Sequence, residues 1–185
     1  MPILQRDLLD QLRTESLALH ARVATVARAL DPEQLVRRST PSSWSVGEVL
    51  EHLCIADELY AKPLATLIHR AHRDAGAPMR AWTPTWLGNF LCRTLAKPRP
   101  MKAPRAFRPG PTPRGGVVED FLTRDSRILH RMEESSSLDW NELRMTPPTL
   151  PFFLKLNLGD VFQVHVVHVR RHLAQMERVA AAVTR

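Results

Sequence analysis

Cysteine and long apolar runs are both scarce in this chain of 185 residues. The two cysteines, Cys54 and Cys92, are too few for a disulfide framework or a four-cysteine zinc site. Apolar runs are short and interrupted by charge, which excludes a membrane span, and the acids in MPILQRDLLD argue against a signal peptide. We therefore expect a protein of the reducing cytoplasm with no membrane partner.

Acidic residues are missing from one stretch, residues 75–118. That stretch holds eight of the 26 basic residues and eight of the 15 prolines, while the remaining 18 basic and 19 acidic residues nearly cancel. The net charge of +7 thus comes from one connection and not from the fold. A solvated loop is the simplest interpretation. Neither aromatic–basic alternation nor a groove-reading motif accompanies the charge, so nucleic acid is an unlikely partner.

Strand patterns are weak throughout, and no internal repeat has a fixed period. Apolar residues instead recur at helical spacing in four segments. These segments are about 4–30, 46–75, 117–136 and 158–183. Ser45 with Glu48, and Asn157 with Asp160, have the spacing of capping boxes at two of the helix starts. Pro63 predicts a kink or a break in the second helix.

Four amphipathic helices of this length predict an all-α four-helix bundle formed by a single domain, residues 1–185. The short connection after the first helix predicts that helices one and two are antiparallel neighbours. The long Pro/Arg-rich crossover, about 76–116, allows helices two and three to run parallel. Within it, WTPTWLGNFLCRTL has a short helical pattern of its own. Its aromatic residues, Trp82, Trp86 and Phe90, would cap the bundle end or form a dimer patch.

Three of the eight histidines occur in HVVHVRRH, near the C-terminus. His165, His168 and His172 fall within one narrow sector of the last helix, which overlaps its apolar face. His168 and His172 are four residues apart, so their imidazoles could share one metal ion. Buried protonated neighbours would repel each other, and a metal removes that cost because it binds neutral imidazole. Such pairs also occur by chance, so a metal needs a third ligand.

His52, in EVLEHLCIAD, lies on the core-facing side of the second helix and is the candidate third ligand. The remaining four histidines lie among charged residues and are expected at the surface; they are His20, His69, His72 and His130.

Two further side chains are candidates for acid–base or supporting roles. Glu48 precedes His52 by one turn and could orient its ring, although the capping box is the simpler role. His165 could line the pocket, act as acid or base, or be a fourth ligand, and its alternative is a hydrogen-bonded core histidine. Gln175 could bond a site group. Cys54 points to another face than His52 and is an unlikely ligand or nucleophile.

The segments WSVGEVLEHLCIAD and LNLGDVFQVHVVHVRRHLAQMERV resemble the DinB/YfiT-like superfamily. That family has a Trp-Ser-x-x-Glu-x-x-x-His segment at the start of its second helix and a His-x-x-x-His-x-x-Gln segment in its last. The resemblance covers most of the chain, and the basic crossover is its least similar part. It implies an up-down-down-up bundle, often a homodimer, with a divalent metal held by His52, His168 and His172.

The resemblance suggests a chemistry without fixing it. Characterised relatives include thiol-dependent S-transferases and a thiol-dependent isomerase, and many others are described as metal-dependent hydrolases. A metal with an open position lowers the pKa of a bound water or thiol. Zn²⁺ fits best, Ni²⁺ suits imidazole, and Fe²⁺ and Mn²⁺ are alternatives. The sequence lacks a Gly-x-Ser-x-Gly motif, a phosphate loop or a second carboxylate cluster, so any catalysis depends on the metal.

Three functions remain open at this point. The first is a metal-dependent enzyme, either a thiol S-transferase or a hydrolase, acting on an unknown small molecule with or without a low-molecular-weight thiol. The second is a non-catalytic metal- or ligand-binding stress-response module, its coordination closed by a group such as His165. The third is a nucleic-acid-associated protein. If the basic segment 93–114 folds over the metal, Arg99, Arg105 and Arg108 could bind an anionic substrate.

Overall fold

The computed structural model of the protein describes residues 3–97 and 101–185. The α-helices in these residues are α1 Gln5–Arg28, α2 Pro32–Val36, α3 Val46–Arg70, α4 Trp86–Leu95, α5 Val117–Glu134 and α6 Leu158–Val183. Single turns of 3₁₀ helix form at Ala77–Met79 and Arg105–Phe107. Two-residue strands pair antiparallel, β1 Ile3–Leu4 with β2 Ala81–Trp82 and β3 Arg144–Met145 with β4 Leu156–Asn157. The fold is therefore all-α, as predicted.

Both predicted capping boxes are present, and they set where α3 and α6 begin. The Ser45 hydroxyl accepts from the Glu48 N–H at 3.1 Å, and Glu48 Oε2 accepts from the Ser45 N–H at 2.8 Å. Asn157 and Asp160 repeat this exchange at 2.9 and 3.2 Å. Since the two helices supply all three candidate metal ligands, these local signals fix the positions of the histidines along their helices.

Helices α1, α3, α5 and α6 form the four-helix bundle in up-down-down-up order. Arg13 pairs with Glu133 and Arg28 with Glu119, so α1 and α5 run antiparallel. Helix α1 runs parallel to α6, because Glu15 lies beside Arg170 and Arg22 beside Glu177. Helix α3 runs parallel to α5, because Arg114, just before α5, pairs with Glu51 and Arg124 pairs with Glu58. The crossover spans the bundle length, as expected.

The arrangement corrects the prediction that the first two bundle helices are neighbours. Helices α1 and α3 are antiparallel, but each packs against α5 and α6, so they occupy opposite corners of the bundle. The short connection between them does not force adjacency, because α2 and the turns around it cross the bundle end. This diagonal arrangement leaves α3 beside α6, the helix that carries the other two candidate ligands.

Two details of the predicted helices also change. Helix α3 ends at Arg70 and not near Ala75, because the chain becomes extended at Ala71 and the Asp74 N–H then bonds the Ser137 carbonyl at 2.7 Å. Pro63 does not break α3; it is exposed, where water can bond the carbonyl that loses its donor.

The aromatic residues of the crossover divide between core and surface. Trp82 and Leu87 are buried in the same apolar core as the four bundle helices, which α4 joins by packing on α6. Trp86 and Phe90 are exposed and stack on each other with ring centroids 5.7 Å apart. Among the described residues, no helix combines the length and apolar character needed to cross a membrane.

Candidate metal centre

Three histidines from two helices meet near the end of the bundle where α3 begins. His52 is in the second turn of α3, and His168 and His172 lie one turn apart on α6. The Nε2 atoms of His52 and His168 are 3.0 Å apart. Ring centroids are separated by 4.7 to 5.0 Å for the three pairs, and one nitrogen of each ring lies within 4.8 Å of the others. Two ligands of a tetrahedral zinc ion stand roughly 3.3 Å apart, so the spacing suits one ion.

Hydrogen bonds orient two of the three rings. His52 Nδ1 lies 2.6 Å from the carbonyl oxygen of Phe107, and His172 Nδ1 lies 3.0 Å from Oε1 of Gln175. Both oxygens can only accept, so each Nδ1 carries the proton and each Nε2 keeps a free lone pair. This tautomer is the one that presents Nε2 to a metal. The contact expected for Gln175 is thus present, whereas Phe107 was not foreseen.

Burial keeps the three imidazoles neutral. Desolvation lowers the pKa of His52 despite the opposing effect of the Phe107 carbonyl. Burial and, to a smaller extent, the charge interaction with His52 together lower the pKa of His172 to about 3. Burial also brings the pKa of His168 well below its usual value, and charge interactions with His172 and His52 add to this effect. Neutral imidazole is the form that binds metal, so this donor set fits a divalent cation at neutral pH.

Aromatic residues flank two of the three histidines, His52 and His172. The Trp44 ring is 5.0 Å from His52 and stacks toward His172 at 6.4 Å. The ring centroids of Phe107 and His52 are 6.4 Å apart in an edge-to-face arrangement. The contacts of Trp44 with the two imidazoles were not predicted. The contact with His172 depends on α6, which is distant in sequence.

Comparison with known proteins identifies the family. The sequence model of the DinB superfamily matches residues 16–176, which contain all three histidines. The chain belongs to the DinB superfamily. No curated protein matches it.

Among solved structures, this DinB-superfamily chain is similar to YfiT from Bacillus subtilis, described as a probable metal-dependent hydrolase with an unusual four-helix bundle topology. The TM-score is 0.57 at 11% sequence identity, and the alignment covers 94% of this chain and 86% of that one. At this identity the similarity establishes the fold alone, a four-helix bundle.

Glu48 does not contact the histidines in this DinB-superfamily chain. Its carboxylate accepts the Ser45 N–H and pairs with the guanidinium of Arg38. Burial alone would raise the pKa of Glu48, but the hydrogen bonds from Arg38 and Ser45 bring it below its usual value. The ring of His52 is oriented by Phe107 instead. In the structure Glu48 therefore caps α3, and its carboxylate does not contact the His52 imidazole that it was a candidate to orient.

His165 also lies outside the histidine cluster, because both ring nitrogens face carboxylates. Its Nδ1 is 3.3 Å from Oδ1 of Asp57 and its Nε2 is 3.1 Å from Oδ1 of Asp125. Burial opposes protonation, but the charges and hydrogen bonds of Asp57 and Asp125 prevail and raise the pKa of His165 to about 10. An imidazolium has no lone pair for a metal. His165 thus matches the hydrogen-bonded core alternative and does not close the candidate site.

The contacts of His165 belong to a polar layer with one residue from each bundle helix. Asp125 Oδ2 continues the row to His20 Nδ1 at 2.8 Å, so the order is His20, Asp125, His165 and Asp57. The prediction that His20 is a surface residue is wrong, since it is half-buried and bonded to Asp125; His69, His72 and His130 are exposed, as predicted. Asp57 Oδ2 is buried without a hydrogen-bond partner among the described residues.

The cysteines take no part in the candidate site. Cys54 is buried in the apolar core, and burial raises the pKa of its thiol to about 12. A thiol with that pKa is protonated at neutral pH, which makes it a poor nucleophile or ligand. This agrees with the expectation from its position two residues after His52.

The basic crossover does reach the candidate site. Its 3₁₀ turn Arg105–Phe107 packs on α3, and the Phe107 carbonyl bonds His52. Arg114 is not available to a substrate, because it pairs with Glu51, Glu58 and Asp120. Arg105 and Arg108 are exposed. Arg99, the third arginine considered for an anionic substrate, lies outside the described residues.

Proposed function

We propose that this DinB-superfamily protein binds one divalent metal ion through Nε2 of His52, His168 and His172 and is a metal-dependent enzyme, either a hydrolase or a thiol S-transferase. Convergence of three neutral imidazoles carries the proposal. One N–H···N hydrogen bond could join only two of these nitrogens, whereas a divalent cation would accept the lone pairs of all three. Zn²⁺ suits a three-nitrogen donor set best, with Ni²⁺, Fe²⁺ and Mn²⁺ as alternatives.

Reactivity follows from the number of ligands. Only three His, Cys, Asp or Glu side chains in residues 3–97 and 101–185 gather closely enough to share an ion here. Catalytic zinc sites typically have three protein ligands and an open position, whereas structural sites are closed by four. A bound divalent ion would lower the pKa of a water or thiol at the open position. Trp44 and Phe107 would restrict what reaches it.

A non-catalytic metal- or ligand-binding module is the alternative. It requires a coordination sphere closed by a further group, for which His165 was one candidate. Both nitrogens of His165 are engaged by Asp57 and Asp125, which favours the open site and hence the enzyme.

The first test is metal content. We would purify wild-type protein without a nickel resin, reconstitute it with Zn²⁺, and measure metal per chain after removing the excess. About one ion is expected for the wild type and for His69→Ala, an exposed control, and none for His168→Ala or His172→Ala. Circular dichroism would show that the variants fold. Equal metal in wild type and His168→Ala would refute the three-histidine site.

A homodimer is a further part of the proposal. The exposed, stacked pair Trp86 and Phe90 on α4 is the surface we would test, by sedimentation of wild type against Trp86→Ser. Unchanged mass in the variant would place any dimer contact elsewhere.

A further inference from the structure

Residues 101–114 form a strap that contacts the histidine cluster at His52. The Phe107 carbonyl accepts the His52 Nδ1–H at 2.6 Å. The end of the strap is held against the start of α3: Arg114 makes a two-nitrogen contact with the Glu51 carboxylate, and a Cβ on Gly47 would lie 2.9 Å from Cγ of Pro113. The strap therefore has a defined position over the first turns of α3.

Two arginines bracket the turn that touches His52. The Arg108 N–H donates to the Arg105 carbonyl at 3.2 Å, which closes the 3₁₀ turn around Phe107. Since the Phe107 carbonyl is part of the Phe107–Arg108 peptide, the Arg108 Cα lies within about 6 Å of His52 Nδ1. A long arginine side chain spans roughly that distance. Arg108 Nε donates to the Ala103 carbonyl at 2.9 Å, which leaves its two terminal nitrogens to bind something else.

The acidic groups near the strap are already neutralised. Glu48 pairs with Arg38, and Glu51 pairs with Arg114. Residues 75–118 contain no acidic residue. Within the described parts of the chain, neither Arg105 nor Arg108 has a carboxylate partner in an ion pair. Both arginine residues are exposed.

Positive charge beside a divalent-cation site is unfavourable unless the ligand brings negative charge. We propose that Arg105 and Arg108 form an anion-binding site beside the histidine cluster and select a substrate with a carboxylate or similar anionic group. This inference rests on the proposed metal site and adds the chemical class of the substrate. Guanidinium groups bind carboxylates through paired N–H donors, so they would hold the anionic end while the reacting end faces the metal.

The test compares two thiols of matched length on the cobalt-loaded protein, because a thiolate–cobalt band reports binding directly. The anionic probe is 3-mercaptopropionate and the neutral probe is 3-mercaptopropan-1-ol. In Arg105→Gln/Arg108→Gln we expect the affinity for the anionic thiol to fall on the order of tenfold, with the neutral thiol changed less than twofold. The control Arg127→Gln/Lys155→Gln removes the same charge at exposed sites elsewhere and should leave both affinities unchanged.

A wild-type measurement makes the test independent of how the double variant folds. Raising the salt concentration should lower the affinity for the anionic thiol and leave the affinity for the neutral thiol unchanged. Equal losses for both thiols, an equal loss in the control variant, or salt-insensitive binding of 3-mercaptopropionate would overturn the anion site alone. A wild type that binds no cobalt or zinc would instead refute the proposed metal site, and the inference would fall with it.

Discussion

His52 and His168 are separated by 116 positions in the chain, and their Nε2 atoms lie 3.0 Å apart. Without a metal, one N–H···N hydrogen bond can join this pair. A bound metal would take both nitrogens and that of His172 as ligands and would link α3 to α6. The proposed metal would therefore stabilise the bundle.

We expect Zn²⁺ at about 100 times its dissociation constant to add about 2.7 kcal/mol to the free energy of unfolding. The measurement is thermal denaturation with Zn²⁺ and with EDTA. The shift should disappear in His52→Ala and His168→Ala and persist in His69→Ala, whose side chain is exposed. An undiminished shift in His168→Ala would mean that zinc binds elsewhere.

His165→Gln should destabilise the protein by about 3 kcal/mol at pH 7, because it leaves two buried carboxylates, Asp57 and Asp125, without their shared cation. The pKa of His165 is raised from 6.5 to about 10 in the folded state. Its contribution is therefore fully present below about pH 6.5 and is lost as pH rises through about 10. Urea unfolding should show that the difference in free energy of unfolding between wild type and variant is smaller at pH 10.5 than at pH 7. An equal difference at the two pH values would contradict a charged His165.

Glu48→Ala should lower the free energy of unfolding by about 1 kcal/mol, as expected for loss of half a capping box. It should leave zinc affinity within about twofold of wild type, because the His52 ring is held by Phe107. Calorimetric titration with Zn²⁺ distinguishes this from a role in orienting the ligand, and Arg38→Ala removes the same ion pair as a control. A large loss of zinc affinity in Glu48→Ala but not in Arg38→Ala would restore Glu48 to the metal site.

Gly88→Ala should destabilise the protein by about 3 kcal/mol, since a Cβ at that position would lie 2.1 Å from Oδ1 of the buried Asp160. Asp160 cannot easily move, because it accepts hydrogen bonds from Thr85 and caps α6. Gly115→Ala is the matched control, with no atom within 4 Å of the added methyl group. Equal urea midpoints for the two variants would show that α4 and α6 can move apart to accept the methyl group without loss of stability.

Local patterns made much of this fold predictable. Capping boxes act within one helical turn, so Ser45 and Asn157 marked the starts of α3 and α6 correctly. Helical spacing placed His168 and His172 on one face for the same reason. The local pattern made His52 a candidate third ligand, and the family resemblance then indicated that it is the partner of His168 and His172.

The sequence by itself thus determined the helices, their capped starts and which histidines are the candidate ligands. Only the tertiary structure decided that α1 and α3 lie on opposite corners, that the Phe107 carbonyl orients His52, and that His165 is held between Asp57 and Asp125. These depend on contacts between residues 40 or more positions apart, which periodicity does not encode. Packing of α3 against both α5 and α6 brings those groups within hydrogen-bond distance and sets the charge of each histidine.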